Sequence, residues 1–199
     1  MRRVRSVVVI DNASTDGTAQ VARDGGAVVL RESRIGYGSA CRRAVAHLES
    51  LPTPPDAVVF FPADGTCDPA EIPAIMEPMR TDNVELVIGV RDSRRRKQTP
   101  TRIALSMIGM LYRYRFEDFG PFRAIRFPAM IALGLGDRGD GWDIEMQLKA
   151  VKLGLAIVEL PVSYRELPNA RRGRLRTAGR SIGSAGRMLF QILRHSTAR

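Results

Sequence analysis

Short apolar runs rich in Val and Ile alternate with longer stretches of helical periodicity along this chain. The first run, Ser6 to Ile10, ends on Asp11 and passes into a Ser/Thr/Asp/Gly turn, where Ser14, Thr15 or Asp16 can cap a helix over 15–24. Gly25 and Gly26 end that helix, and 27–31 reads as a second strand. Gly36 and Gly38 relax the next turn before a helix over 39–49, which the Pro-rich LPTPPD stops. The run 57–61 is continuously apolar, the mark of a central strand covered on both faces. Asp68 and Pro69 then open a helix to about Met79, and 85–90 makes the next strand. The order βαβαβαβ with right-handed crossovers predicts an α/β fold, a mostly parallel sheet with helices on both faces.

Beyond Arg91 the pattern loosens into a charged loop, RDSRRRKQTP. Residues 101–115 have helical spacing, with Ile103, Met107, Met110 and Leu111 on one side. Phe122, Ala124 and Ile125 suit a short strand, 128–135 a short helix, GDRGDGW a Gly-rich loop, 142–153 a helix, and 155–161 the last strand. A basic loop follows, then a helix over 177–193. Its Ile182, Ala185, Leu189, Ile192 and Leu193 share one face, opposite Arg180, Arg187 and Arg194. No apolar run is long enough to span a bilayer.

At 199 residues the chain is large enough for one well-buried domain. Residues 1–168 are expected to form it, and 169–199 a basic loop and amphipathic helix. The formal charge of +10 changes this picture, because no acid follows Glu166 while Arg171, Arg172, Arg174, Arg176, Arg180, Arg187, Arg194 and Arg199 all do. The rest is nearly balanced, which argues against a nucleic-acid partner and for an anionic partner met at one end. Cys41 and Cys67 show no metal or disulfide spacing, which suggests free thiols and a cytoplasmic setting.

The candidate chemistry lies where strands end: Asp11, Asp64, and Asp118 beside Glu117. Acids gathered on one sheet edge suit Mg²⁺ or Mn²⁺ held by few carboxylates together with ligand phosphates. Asp68 reads as a cap, and His47 and His195 have no ligand spacing. No Ser/His/Asp triad, GxGxxG fingerprint or Walker A loop is present.

The segments VVVIDNASTDGTAQVA, RIGYGSACRRA, VVFFPADGTCDP, ELVIGVR, DFGPFRAIR and GWDIEMQLKA, in that order, resemble the inverting family 2 glycosyltransferases. The branch similar to dolichol-phosphate mannose synthase matches best. The resemblance implies a GT-A (Rossmann-like) fold and a nucleotide-diphosphate sugar as donor. It implies that Asp11 and Asn12 contact base or ribose, that the loop from Arg34 through Gly36 to Gly38 borders the nucleotide, and that Asp64 binds the metal. It places Asp118 beside the acceptor as base or positioning group, with Glu145 in the same pocket. Arg172, Arg174 and Arg176 fall on a basic loop that clamps phosphates. The acceptor it implies is a polyprenyl phosphate or another membrane-proximal molecule at the inner face of the membrane; the amphipathic C-terminal helix can lie on an anionic bilayer or pack its apolar face on the domain with its arginines in water. The pattern departs from the family in two places. An earlier strand with a Pro-x-x-Asn-Glu-like turn is not seen, which opens a sheet position and invites a homo-oligomer. The first acid of the DxD pair is Pro62 in Pro62-Ala63-Asp64. The alternative reading is a degenerate GT-A domain serving as a binding or partner subunit without catalysis.

Overall fold

The computed structural model describes residues 4–91 and 99–165, with residues 99–104 described by backbone alone. Six strands and six helices are found there: β1 Val8–Asp11, α1 Thr18–Asp24, β2 Val28–Arg31, α2 Tyr37–Glu49, β3 Ala57–Phe60, α3 Ile72–Thr81, β4 Leu86–Arg91, α4 Thr99–Tyr112, β5 Arg123–Arg126, α5 Phe127–Ala132, α6 Trp142–Lys152 and β6 Ile157–Val162. A short 3-10 turn, Pro69–Glu71, precedes α3. Contacts divide these residues into two compact units, one drawn from Met1–Pro55 with Leu135–Trp142, the other from Asp56–Gly134 with Asp143–Arg199.

In the first unit β1 and β2 pair in parallel, Val8 opposite Val28 and Asp11 opposite Arg31. Helix α1 starts later than the sequence suggested. Gly17 is its N-cap, and Asp16 instead accepts the N–H of Thr18 at 3.0 Å. An acceptor two residues ahead holds the turn open, so 15–17 stay outside the helix.

The second unit carries a four-stranded sheet in the order β3-β5-β4-β6. β4 and β6 are parallel, whereas β5 runs antiparallel between β3 and β4. Strand β3 is therefore an edge strand of this sheet, not the central one its apolar run suggested. Apolar patterning reports which faces are covered and is blind to which backbone edges are paired. β5 and β4 are the strands paired on both sides, and in β4 Leu86, Val87 and Ile88 are 0% exposed. Ile75 and Met79 of α3 pack with Val87, Phe122, Ala124 and Val162. Phe61 meets Phe122 edge to face at 5.0 Å.

Helix α4 buries a different stripe from the expected one. Ile108 is fully buried and Leu105 and Tyr112 half-buried, while Met110 is 75% and Leu111 43% exposed. Spacings of three and seven residues put 105, 108 and 112 on one side, so the buried phase is shifted from the one assigned to Met110 and Leu111.

The chain approaches β4 most closely at Gly120. A Cβ there would collide with the carbonyl of Gly89, which itself accepts no side chain, and Gly89 N–H donates to the Phe122 carbonyl at 2.8 Å. This tight passage delivers residues 117–122 to the carboxyl end of β4. Gly120→Ala is expected to destabilise the protein by about 1–3 kcal/mol through overpacking, read as a lower urea midpoint.

Candidate active site

In the first unit Asp11 ends β1 and is 8% exposed. The hydroxyl and the backbone N–H of Ser14 donate to its carboxylate, the N–H at 3.0 Å, and hold the carboxyl below its usual range. Asn12 uses both ends of its carboxamide on the neighbouring loop: Nδ2 donates to the carbonyls of Glu32 (3.1 Å) and Arg34 (2.8 Å), and Oδ1 accepts from Gly36 N–H at 2.8 Å. The sequence placed this amide on a base or ribose; in the structure its donors are spent on the backbone of 32–36. Arg34, whose own N–H donates to Glu32 Oε1 at 2.7 Å, is exposed on that fixed loop.

Gly36, at φ 146°, occupies a conformation other residues rarely adopt, and a Cβ there would strike the Arg138 carbonyl. The Gly-rich loop of 135–141 closes the start of α2. Gly38 N–H donates to Gly139 O (2.9 Å), Ser39 N–H and hydroxyl to Arg138 O (3.0 and 3.1 Å), and Arg42 to Leu135 O (2.8 Å). Asp137 shapes that loop by accepting from the N–H groups of Gly139 and Gly141 at 2.7 and 3.1 Å.

In the second unit Asp64 lies on an exposed turn after β3. One carboxylate oxygen accepts from Thr66 N–H (3.0 Å) and hydroxyl (2.5 Å), while the other has no protein donor among the described residues. Asp68 caps the following turn through Ala70 N–H at 2.9 Å, as expected. A strap leaving β6 is pinned to the same turn: Arg165 N–H donates to Thr66 O at 2.7 Å, and Ser163 donates its N–H and hydroxyl to Glu71 at 3.0 and 2.8 Å. Burial pushes the nearby Cys67 thiol up, with Asp64 and Glu71 adding to the rise and Arg91 opposing it.

Asp118 is the most enclosed of the candidate acids. Its side chain is 1% exposed and meets the Arg91 fork, Nε to Oδ2 and Nη2 to Oδ1, both at 2.7 Å. Phe119 N–H donates to Oδ1 at 2.8 Å and Arg91 N–H to Oδ2 at 3.2 Å. Arg91 also lies over the Tyr164 ring, 5.6 Å from its centroid. Gln147 of α6 donates to the Asp118 carbonyl at 2.9 Å. Glu145, 4% exposed, pairs one turn along α6 with Lys149 at 2.9 Å. Arg123, fully buried, binds the Gly120 carbonyl and the Asp143 carbonyl (3.2 Å), tying this segment to α6.

Of the three acids read from strand ends, Asp11 belongs to the first unit and Asp64 and Asp118 to the second. Among the described residues no three His, Cys, Asp or Glu side chains come together as a metal cluster. Asp118 has instead been taken up by Arg91, a residue whose place at the end of an apolar strand was visible but whose partner was not. Glu159 and Gln147 also went unseen, since nothing in their spacing distinguishes them from ordinary strand and helix polar residues. What remains is one exposed carboxylate, Asp64, with a free oxygen. That fits Mg²⁺ or Mn²⁺, which take one or two carboxylates and complete their shell with water and ligand phosphates. Arg172, Arg174, Arg176 and the helix expected over 177–193 lie outside the described residues.

The model of the family described as glycosyl transferase family 2 matches residues 4–134. The chain belongs to glycosyl transferase family 2. An uncharacterized glycosyltransferase of Mycobacterium tuberculosis is 35% identical over 163 residues, 79% of this chain and 72% of that protein. The undecaprenyl-phosphate mannosyltransferase of Micrococcus luteus is 31% identical over 199 residues, covering 90% and 78%. Among solved structures, glucosyl-3-phosphoglycerate synthase from M. tuberculosis, in complex with Mg²⁺ and UDP, superimposes with a TM-score of 0.72 at 21% identity, over 97% of this chain and 69% of that one. That likeness shows a shared fold. Among the described residues of this family 2 glycosyltransferase, no helix is long and apolar enough to cross a membrane.

Arg91→Ala leaves a buried carboxylate without its cation and is expected to cost about 3 kcal/mol, with Asp118→Asn in the same background recovering part of the loss in urea unfolding. Asp11 behaves oppositely to a strained acid: its lowered pKa gives stability that is present above the unfolded-state value and lost as pH falls through the folded one. Ser14→Ala removes the hydroxyl donor, so the NMR titration of Asp11 should move upward and less stability should be lost on acidification.

Proposed function

We propose that this family 2 glycosyltransferase moves a sugar from a nucleotide-diphosphate sugar, with inversion, onto an oxygen that is already ionised, the phosphate of a polyprenyl phosphate. The observation carrying this reading is the occupancy of Asp118. Its two oxygens receive the Arg91 fork, Arg91 N–H and Phe119 N–H, so every lone-pair direction of the carboxylate is used. A hydroxyl acceptor needs a base with a lone pair to spare; a phosphate oxygen does not. Asp118 then serves by holding Arg91, a cation that is still 29% exposed, beside the incoming phosphate. The name of the M. luteus relative supports the same acceptor class.

Asp11 and the loop bearing Arg34 and Gly36 are assigned to the nucleotide, with Asn12 acting by fixing that loop. Asp64 would hold Mg²⁺ or Mn²⁺ together with diphosphate oxygens, in line with the Mn²⁺ and UDP present in structures of the M. tuberculosis synthase. Such an ion, when bound, offsets negative charge on the leaving diphosphate. Arg172, Arg174 and Arg176 are assigned to the phosphates, a reading supported by the strap to Arg165, which runs against the Asp64 turn just before them. Glu145 is assigned to the acceptor pocket. The helix over 177–193 would rest its apolar stripe on the cytoplasmic face of the membrane that carries such an acceptor.

The test is sugar transfer from UDP- and GDP-sugars with Mn²⁺, offered polyprenyl phosphate and the matching free alcohol in detergent. Transfer to the phosphate alone is expected; transfer to the alcohol would overturn the acceptor assignment. Asp64→Ala should weaken Mn²⁺-dependent nucleotide binding by at least about tenfold in calorimetry. No heat with UDP or GDP would leave the reading of a partner domain without catalysis.

A further inference from the structure

Glu159 stands opposite Ile88 in the β4–β6 pairing, on the strand next to the one that ends in Arg91. Its carboxylate turns to the segment that carries Asp118. Oε1 and Oε2 accept the Glu117 N–H at 2.9 and 3.1 Å, and Oε1 also receives the Asp118 N–H at 3.4 Å. Burial pushes the Glu159 carboxyl up, and the charges of Glu117 and Asp118 add to this, against the two N–H groups that favour the ionised form. The charged and titratable groups around it come from each neighbouring element. Glu117, Asp118 and Tyr114 all lie on the incoming segment, and the Arg91 fork at the end of β4 is paired with Asp118.

A neutral acceptor could take these N–H groups without the repulsion from Glu117 and Asp118. A carboxylate accepts them more strongly, because a charged acceptor makes a hydrogen bond about twice as strong as a neutral one. Together with Gln147 on the Asp118 carbonyl and Arg91 on its carboxylate, Glu159 closes the set of bonds that fixes residue 118 at its N–H, C=O and side chain. We propose that Glu159 is a positioning residue, which fixes the backbone of Glu117 and Asp118 so that Asp118 and its Arg91 stand in register at the acceptor site. The role of Asp118 at the acceptor comes from the proposed function; the anchoring of the segment does not.

The experiment compares Glu159→Ala and Glu159→Gln in the full chain, reading amide hydrogen exchange at Glu117 and Asp118 alongside kcat and donor KM across pH. Glu159→Ala should speed exchange at those two amides and lower kcat, each by about tenfold, with donor KM unchanged within about twofold. Glu159→Gln, which keeps one acceptor oxygen but no charge, should fall between wild type and Glu159→Ala in both effects and lack the acidic limb that protonation of Glu159 gives the wild-type kcat profile. Unchanged exchange and kcat in Glu159→Ala would overturn the proposal. So would a matched fall in kcat and rise in donor KM with faster exchange throughout β4 and β6, which is the signature of general destabilisation. If Asp118→Ala kept full kcat, the acceptor reading would fall, and exchange at residues 117 and 118 in Glu159→Ala would still decide whether Glu159 anchors them.

Discussion

The pairing of Arg91 with Asp118 is the constraint on which the second unit depends. A carboxylate that is 1% exposed is sustained only by opposite charge and hydrogen bonds, and the Arg91 fork with two backbone N–H groups supplies both. To make that pair, the end of β4 and the chain before β5 must lie side by side. Gly89 and Gly120 permit the backbone approach that brings them there. The antiparallel β5 follows directly, since a segment laid against β4 at Gly120 continues into pairing with it.

The other polar groups divide into those that build the scaffold and those that stay exposed. Arg123 and Gln147 are fully buried and bond to backbone carbonyls. Thr66, Ser163 and Arg165 join the turn after β3 to the strap after β6. Asp64 is held through one carboxylate oxygen and Arg34 through its backbone N–H and carbonyl, and both residues remain exposed. Under the proposed function this division is useful, because charge meant for phosphates must stay accessible while the groups that aim it must not move.

Much of this was legible in the chain. The strand-turn-helix around Asp11, the cap at Asp68 and the apolar run of β4 each follow from local chemistry, and the ordered motifs led to the right family. The failures share one cause, which is that they depend on partners distant in sequence. Nothing near β3 says that it lies at an edge, and RAIR, flanked by two arginines, does not look like a strand paired on both sides. Its arginines are accommodated because Arg123 reaches α6 and Arg126 reaches the carbonyls of Met79 and Val84. Asp118 looked available for the same reason, since Arg91 lies 27 residues away. Asn12 sits in the expected turn, and its engagement with residues 32–36 became visible only when the loop was in place.

The sealed start of α2 has a further consequence. Free N–H groups at a helix start are a common seat for anions, and here the carbonyls of Gly139 and Arg138 already take those of Gly38 and Ser39. Under the proposed function, a diphosphate would then find no seat at this helix start and would depend more on long, solvated side chains and a bound cation. Interactions of that kind weaken steeply as electrolyte is added. A nucleotide held in this way would come and go with ionic strength far more readily than one seated in a helix-end cradle.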